Sequence, residues 1–598
     1  MACQLAVQAA PVVLATYFGL TLASGFLPIV PAWLTKLLLD HLTTGNMTDV
    51  AGIGAGLALS GLLAAVIPPT LQYLRAEFGR RVGLLTQSEL FSAVNRQVGI
   101  SRFETPEFLD RLRLARQSGG AAPKAIIENV SGISRTSITI LGFLGSLFLI
   151  NPVLTSVIVL AAIPILIGEM AMSKRYTKVA WRIGPLERRE MFYGDLLSSV
   201  EAAKEIRLFA AGSFFQKRLL AERRVIDAAR RDLDRRDLLV QGGLSGLTAT
   251  VWGAGLLWAV NAARQGQLSA GDITMLIAAM TGTQAALQAL ARDIASFYLE
   301  LSMFGHYVAV VDAEPDLPLP SQPLSVPPLR QGVELRDVWF RYSENHPWLL
   351  RGVNIRIPAG KALAIVGLNG VGKSTLIKLL CRFYDPEHGA ILWDGVDIRD
   401  TDVTELRQRI GITFQDHMDY SMTAAENIAV GNLKAIDDEA RIQDAAKLAG
   451  VHNAITRLPR GYRTLLTRIF FSESEKENQE TGVVLSGGQW QRLALARALM
   501  RNDRDLMILD EPSSGLDAKA EHEIHLALKK HRTKTSILIS HRLSTVREAD
   551  RIVILSDGII TEEGNHDTLM SLNGEYAKLF RLQASGYQME TNDELLER

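Results

Sequence analysis

The sequence predicts a bundle of six membrane-crossing α-helices with long polar extensions, followed by a separate α/β domain. Three observations carry this reading. The first half holds five long stretches without a charged side chain, at 1–35, 50–74, 136–168, 238–263 and 273–291. A linker with six prolines between Pro315 and Pro328 follows them. Beyond the linker, short apolar runs alternate with glycine-rich turns and helical patterns.

A hydrocarbon core of ~30 Å is crossed by about 20 helical residues. Four of the stretches hold one span each. The run 136–168 is too long for one, and Asn151-Pro152 near its middle reads as a tight turn between two. The expected spans are therefore about 8–35, 50–74, 136–150, 153–173, 238–263 and 273–291. A cleavable signal peptide is the rival at the N-terminus, but the basic leading region is missing and the apolar stretch is far too long.

Basic residues set the orientation. The segments 75–135 and 174–236 are rich in them, for example Arg80, Arg81, Arg111, Arg113, Arg182, Arg188, Arg223, Arg224, Arg235 and Arg236. The connections near 41–49, 151–152 and 264–271 contain, of Lys and Arg, only Arg264. Both termini and the two long loops are thus expected in the cytoplasm, in a plasma (inner) membrane of a bacterium. Apolar residues at helical spacing within the loops make them cytoplasmic extensions of the spans.

Composition excludes other classes. The 598 residues carry 64 Lys+Arg against 64 Asp+Glu, so bulk charge offers no footprint for a nucleic-acid partner. A hydrophobic share of 47% excludes a disordered chain. Two cysteines, Cys3 and Cys381, cannot build a disulfide framework. The proline linker has little to bury and marks the boundaries 1–310, 311–332 and 333–598.

The chemistry lies in the last region. The run 362–366 (ALAIV) suits a buried strand; Gly367-Leu368-Asn369-Gly370-Val371-Gly372-Lys373-Ser374-Thr375 follows, then the helical pattern LIKLLCRF. Strand, glycine loop and helix are the setting that a phosphate-binding G-x-x-x-x-G-K-[ST] loop requires. Its backbone N–H groups and helix N-terminus wrap the phosphates of a nucleoside triphosphate. Lys373 reaches the β- and γ-phosphates, and the Ser374 hydroxyl ligates Mg²⁺. Two later runs, Leu506–Leu509 and Ser536–Ser540, end at Asp510-Glu511 and at His541. Ligands of open parallel sheets sit at such strand ends. Asp510 suits a metal partner, Glu511 a base for the attacking water, and His541 a γ-phosphate contact.

The segment Leu485-Ser486-Gly487-Gly488-Gln489, followed by WQRLALARAL, resembles the signature motif of ATP-binding cassette (ABC) proteins. Gln415 resembles the family's Q-loop glutamine, Ser513 to Asp517 (SSGLD) its D-loop, and Tyr342 the aromatic residue that stacks on adenine. The whole chain resembles an exporter-fold half-transporter. The resemblance implies ATP and Mg²⁺, a domain-swapped dimer with a second half-transporter, and coupling helices near 103–115 and 205–216. Tyr342, Gly367, Asn369, Gly370, Gly372, Lys373, Ser374 and Thr375 would hold one ATP. Ser486, Gly487, Gly488, Gln489 and Asp517 would serve the partner's ATP in trans. Mg²⁺ would rest on Ser374, Gln415 and Asp510, and hydrolysis on Glu511, His541 and Gln415. Every position carries the residue expected of a competent site, which favours a homodimer; a competent half of a heterodimer is the alternative. A phosphate loop covers one side of ATP only, and a second glycine-rich helix start offers the missing donors.

Two departures stand out. Between Gly461-Tyr462 and the signature lies an insertion with Glu473, Glu475, Glu477 and Glu480, expected to contact the Arg-rich second loop or to be an exposed segment without a role. The family's amphipathic first helix is replaced by the uncharged 1–10, so a start further upstream is expected. The cargo is read from the spans. They lack charge, with Gln241, Asn261, Gln284 and Gln288 among their few strongly polar groups, which points to an apolar or amphipathic compound such as a drug, lipid or peptide. Gly242 and Gly246 have the small-xxx-small spacing of close helix contacts. An exporter-fold importer of a metal-chelate compound and an ATP-gated channel or regulatory subunit are the alternatives; the complete hydrolytic set argues against the channel.

Overall fold

The computed structural model describes residues 1–44, 50–467, 482–501, 504–512, 534–540 and 542–583. They form two compact units: Met1–Arg96 with Pro106–Ala313, and Gln97–Thr105 with the chain from Glu314 onward. The acidic insertion, the D-loop residues Ser513 to Asp517 and His541 lie outside the described residues.

The first unit is helical: α1 (Ala2–Ala9), α2 (Pro11–Ser24), α3 (Ile29–Thr44), α4 (Val50–Asn95), α5 (Pro106–Gly119), α6 (Ala122–Ile150), α7 (Pro152–Ser198), α8 (Val200–Leu208), α9 (Gly212–Arg264) and α10 (Ala270–Val311). Among the described residues, six stretches are long and apolar enough to cross a membrane. The break at Asn151 and the restart at Pro152 fall where an Asn-Pro turn is expected; Pro152 lacks the N–H that a continuing helix would need. The first span is two helices rather than one, α2 and α3, joined by the turn at 25–28. Pro11 starts α2 at its first position, where a missing N–H costs nothing, and so separates α1 from it. At 1.5 Å per residue α9 is about 80 Å long, far more than a bilayer core, and its basic half is one of the long extensions.

Helix contacts in this unit depend on small residues, but not on the expected ones. A Cβ on Gly282 would lie 2.1 Å from the Phe143 ring, and one on Gly142 2.2 Å from Ile29. Gly242 and Gly246 have nothing within 4 Å. Spacing alone does not say which helix face meets a neighbour. Hydrogen bonds add direction: Trp33 Nε1 donates to Ser146 Oγ (2.8 Å), Thr139 Oγ1 to the Gly25 carbonyl (2.8 Å) and Asn129 Nδ2 to Ser296 Oγ (3.2 Å). The start of α10 is closed by a capping box between Ser269 and Asp272, and Lys36 pairs with Asp272 at 2.6 Å. Leu59, Leu62 and Val66 of α4 point outward, as residues facing lipid tails do.

The second unit contains a four-stranded sheet ordered β2-β1-β4-β5 and a six-stranded sheet ordered β10-β9-β3-β8-β7-β6. The strands are β1 (Gly332–Phe340), β2 (Leu350–Pro358), β3 (Ala362–Val366), β4 (His388–Trp393), β5 (Val396–Asp397), β6 (Ile410–Thr413), β7 (Leu506–Asp510), β8 (Thr535–Ile539), β9 (Arg551–Ser556) and β10 (Ile559–Gly564). β3 lies between β8 and β9, parallel to both. Every residue of β3 and β7 is buried, which is why both read as unbroken apolar runs.

The linker has more to bury than its prolines imply. Leu317 and Val326 are buried, and the carbonyls of Pro318 and Pro327 accept from Arg382 Nη2 (2.9 Å) and Trp393 Nε1 (3.0 Å). Proline keeps a free carbonyl, and this one is used as a seam along the second unit. Arg382, fully buried, also donates to the Ile398 and Thr401 carbonyls.

Gly282→Val is expected to destabilise the membrane unit by about 1–3 kcal/mol through overpacking against Phe143. Gly242→Val should leave it unchanged. Thermal unfolding in detergent, with Phe143→Ala as the compensating change, checks both.

Candidate active site

The phosphate loop joins β3 to α11 (Lys373–Leu380). Gly372, at φ +106°, caps α11 in a conformation that other residues rarely adopt. Gly367 is needed for space: a Cβ there would lie 2.3 Å from the Leu555 carbonyl oxygen. Asn369, Gly370 and Ser374 are exposed on the loop surface, while Thr375 is buried beneath it. Lys373 is also buried; its ammonium donates to the Gly367 and Leu368 carbonyls, both at 2.8 Å. Burial pulls its pKa down, and Glu511 and Asp510 pull it back up.

The strand ends converge on that loop. Asp510 is buried at the end of β7; burial, then the charges of Glu511 and Asp416, push its carboxyl up to about 6 against the hydrogen bond from Ser374. Gln415, just beyond β6, turns its amide nitrogen to Glu511 Oε2 at 3.0 Å. That orientation leaves the Gln415 amide oxygen available. With Ser374 Oγ and the Asp510 carboxylate it makes a set of hard oxygen donors, and these fit Mg²⁺. These residues would hold Mg²⁺, whose charge would offset that of the phosphates during phosphoryl transfer.

Tyr342 presents a partly exposed ring beside α11 and shares a 2.9 Å hydrogen bond with Thr375 Oγ1. The rings of Phe340 and Tyr384 meet it edge-on at 5.1 and 5.4 Å. Ser486 and Gly487 are exposed at the start of α12 (Gly487–Leu499). Within the chain Ser486 and Gln489 form a capping box: Ser486 Oγ accepts from the Gln489 N–H, and Gln489 Oε1 from the Ser486 N–H at 2.9 Å. The signature is thus first a device that starts a helix and leaves Gly487 uncovered.

The matches to known proteins agree with this geometry. Residues 350–514 match the family model described as ABC transporter, and residues 123–287 match that of the ABC transporter transmembrane region. An uncharacterised ABC transporter ATP-binding protein of Sinorhizobium fredii is 30% identical over 95% of both chains. The chain belongs to the ABC transporter family. The solved bacterial Atm1-family ABC exporter with ATP bound superposes with a TM-score of 0.80, at 25% identity, over 96% of this chain and 99% of that one. The ATP-dependent lipid A-core flippase of Syntrophus aciditrophicus is 41% identical over 46% of this chain, a match spanning 43% of the flippase's length. This ABC protein is therefore a multi-pass half-transporter of the exporter fold.

Motif reading missed a set of residues around the segment 97–105, which the structure places with the cassette. The expected coupling helix near 103–115 overlaps it only at 103–105. Asp316 Oδ1 accepts from the Val98 and Gly99 N–H groups at 2.9 and 2.7 Å, and the Ile100 N–H donates to the Phe383 carbonyl. Glu104 accepts from Lys378 Nζ (2.6 Å) and from the Tyr384 hydroxyl. Lys378 lies over the Tyr342 ring, 5.3 Å from its centre. These residues carry no motif; Lys378 reads simply as one polar position of a phosphate-loop helix. Burial alone would raise the Glu104 carboxyl, but the bonds from Lys378 and Tyr384 outweigh it and hold it below the ordinary range. Its contribution is therefore present at neutral pH and lost as pH falls through that depressed value.

Lys378→Met is expected to loosen the segment by about 0.5–1 kcal/mol, the range for a partly exposed ion pair. Hydrogen exchange of the Val98–Ile100 amides should quicken a few-fold, while exchange in β3 stays unchanged.

Proposed function

We propose that this ABC protein is an exporter that works as a dimer in a bacterial plasma membrane and moves an amphipathic compound by alternating access. The cargo reading rests on one observation, a cavity of about 690 Å³ among α2, the turn at 25–28, α4, α6 and α10. Its wall is apolar at Leu27, Ile67 and Leu71, aromatic at Tyr17, and charged at Arg75 and Arg135. Arg75 is committed to a two-pronged bond with Glu128. Arg135 makes no hydrogen bond or ion pair among the described residues, though its charge acts on Asp293 and Tyr17. An apolar wall with one uncommitted guanidinium suits a molecule with a greasy body and a polar or anionic end. The similarity to a protein named for flipping a lipid supports the same class.

Dimerisation is supported by α8 and the start of α9. Val200, Leu208 and Phe209 are each at least 70% exposed, and Phe214 half exposed. A short helix with its apolar residues outward needs a cover, and the cassette of a second half-transporter supplies it in this family's fold. In the assembled site Lys373 and the loop amides hold the phosphates, Tyr342 carries the adenine, and Glu511 takes the proton of the attacking water while Gln415 orients it. Ser486, Gly487 and Gly488 close the site from the other copy. The division after Ala313 supports a transport domain of 1–310 and a cassette of 333–598 joined by 311–332.

The test is ATPase activity of the protein in lipid, with its oligomeric size, beside Glu511→Gln. The wild type is expected to turn over as a dimer and Glu511→Gln to lose at least a hundredfold in rate. An inactive but folded wild type would replace the homodimer with a heterodimer. In the same vesicles Arg135→Ala should abolish stimulation by anionic amphiphiles and spare basal turnover; equal stimulation would refute the cargo site.

A further inference from the structure

Glu511 is held in an uncommon backbone state. Its φ is +49°, the left-handed region, and Pro512 follows it. Left-handed geometry is costly for a residue with a side chain and persists only where the surroundings impose it. Proline narrows the options further, because it restricts the residue before it. It also removes the N–H from the peptide that follows Glu511, so the Glu511 carbonyl is that peptide's only polar handle.

Three contacts impose the conformation. The Glu511 N–H donates to the Ile539 carbonyl of β8 at 2.9 Å. The Gln415 amide holds one carboxylate oxygen at 3.0 Å. The third takes the carbonyl: Gln491 Nε2, on α12, donates to it at 2.9 Å. Gln491 is only 8% exposed, so water is a poor substitute for that bond.

We infer that Gln491 is a positioning residue for the hydrolytic carboxylate. Its amide locks the Glu511–Pro512 peptide and thereby sets the direction in which the Glu511 side chain leaves the strand end. Gln491 lies on the first turns of the helix that begins at Ser486, where Ser486 and Gly487 are exposed. A shift of that helix start is passed to Glu511 through a single side chain, so the surface offered to a second copy and the base of the chain's own site move together. The inference rests on Glu511 being the base, as proposed above.

The test replaces Gln491 by Met, which keeps length and volume and removes the donor, in the lipid-reconstituted protein beside Glu511→Gln. A tenfold or greater fall in kcat is expected, the scale of a slightly misplaced catalytic group. The KM for ATP should stay within about twofold, and so should the ATP-induced rise in melting temperature. Gln491→Leu, measured in parallel, should behave alike; should the Met variant aggregate, the Leu variant decides. A kcat within twofold of wild type, with Glu511→Gln inactive, overturns the positioning role alone. A kcat fall matched by an equal loss of ATP binding makes Gln491 a packing residue and overturns it too. An active Glu511→Gln removes the base itself, and the proposed site with it.

Discussion

No backbone N–H or C=O can be left unpaired in hydrocarbon, and this constraint shapes the whole first unit. It leaves the chain only helices to cross with, and it favours helices that start and stop outside the apolar layer. The four longest, of 42 to 53 residues, meet it with length to spare. Their surplus extends them beyond the length that a bilayer core requires. Where the crossing is interrupted, at Gly25–Pro28, the Gly25 carbonyl is recovered by Thr139 of a neighbouring helix.

The cassette answers a different demand, the concentration of phosphate charge. Its answer is convergence: the loop after β3, Gln415 after β6 and Asp510-Glu511 after β7 meet at one edge of one sheet. Burial of β3 and β7 fixes those strand ends, so packing in the sheet core becomes placement at its rim. Apolar burial also presses on the charges there, raising Asp510 and lowering Lys373, in the direction that a bound metal and a bound phosphate would each reverse. The segment 97–105, held by Asp316, Tyr384 and Lys378, brings Glu104 to the helix that begins at the phosphate loop.

Much of this was legible in the sequence for one reason: it is local. Uncharged stretches, the Asn-Pro turn, the glycine loop and the signature are each written in consecutive residues. What was not legible depends on pairs far apart in the chain. Glu104 meets Lys378 across 274 positions and Trp33 meets Ser146 across 113. The glycines at helix contacts within the chain were not legible for the same cause, since Gly242 and Gly282 look alike until a neighbour's Phe143 distinguishes them. The linker was misread because its apolar residues are sparse in sequence yet meet a ready-made cassette surface.

The sequence by itself determined that six helices cross a membrane, that a nucleotide cassette follows, and which residue types could hold the phosphates and metal. Hydropathy and motif chemistry are properties of short segments, and they survive without a fold. Only the tertiary structure decided which charges stay uncommitted in the cavity, what holds the segment 97–105, and how Glu511 is aimed. Those depend on distances between segments, and on a carbonyl whose partner, Gln491, sits 20 residues upstream on another element.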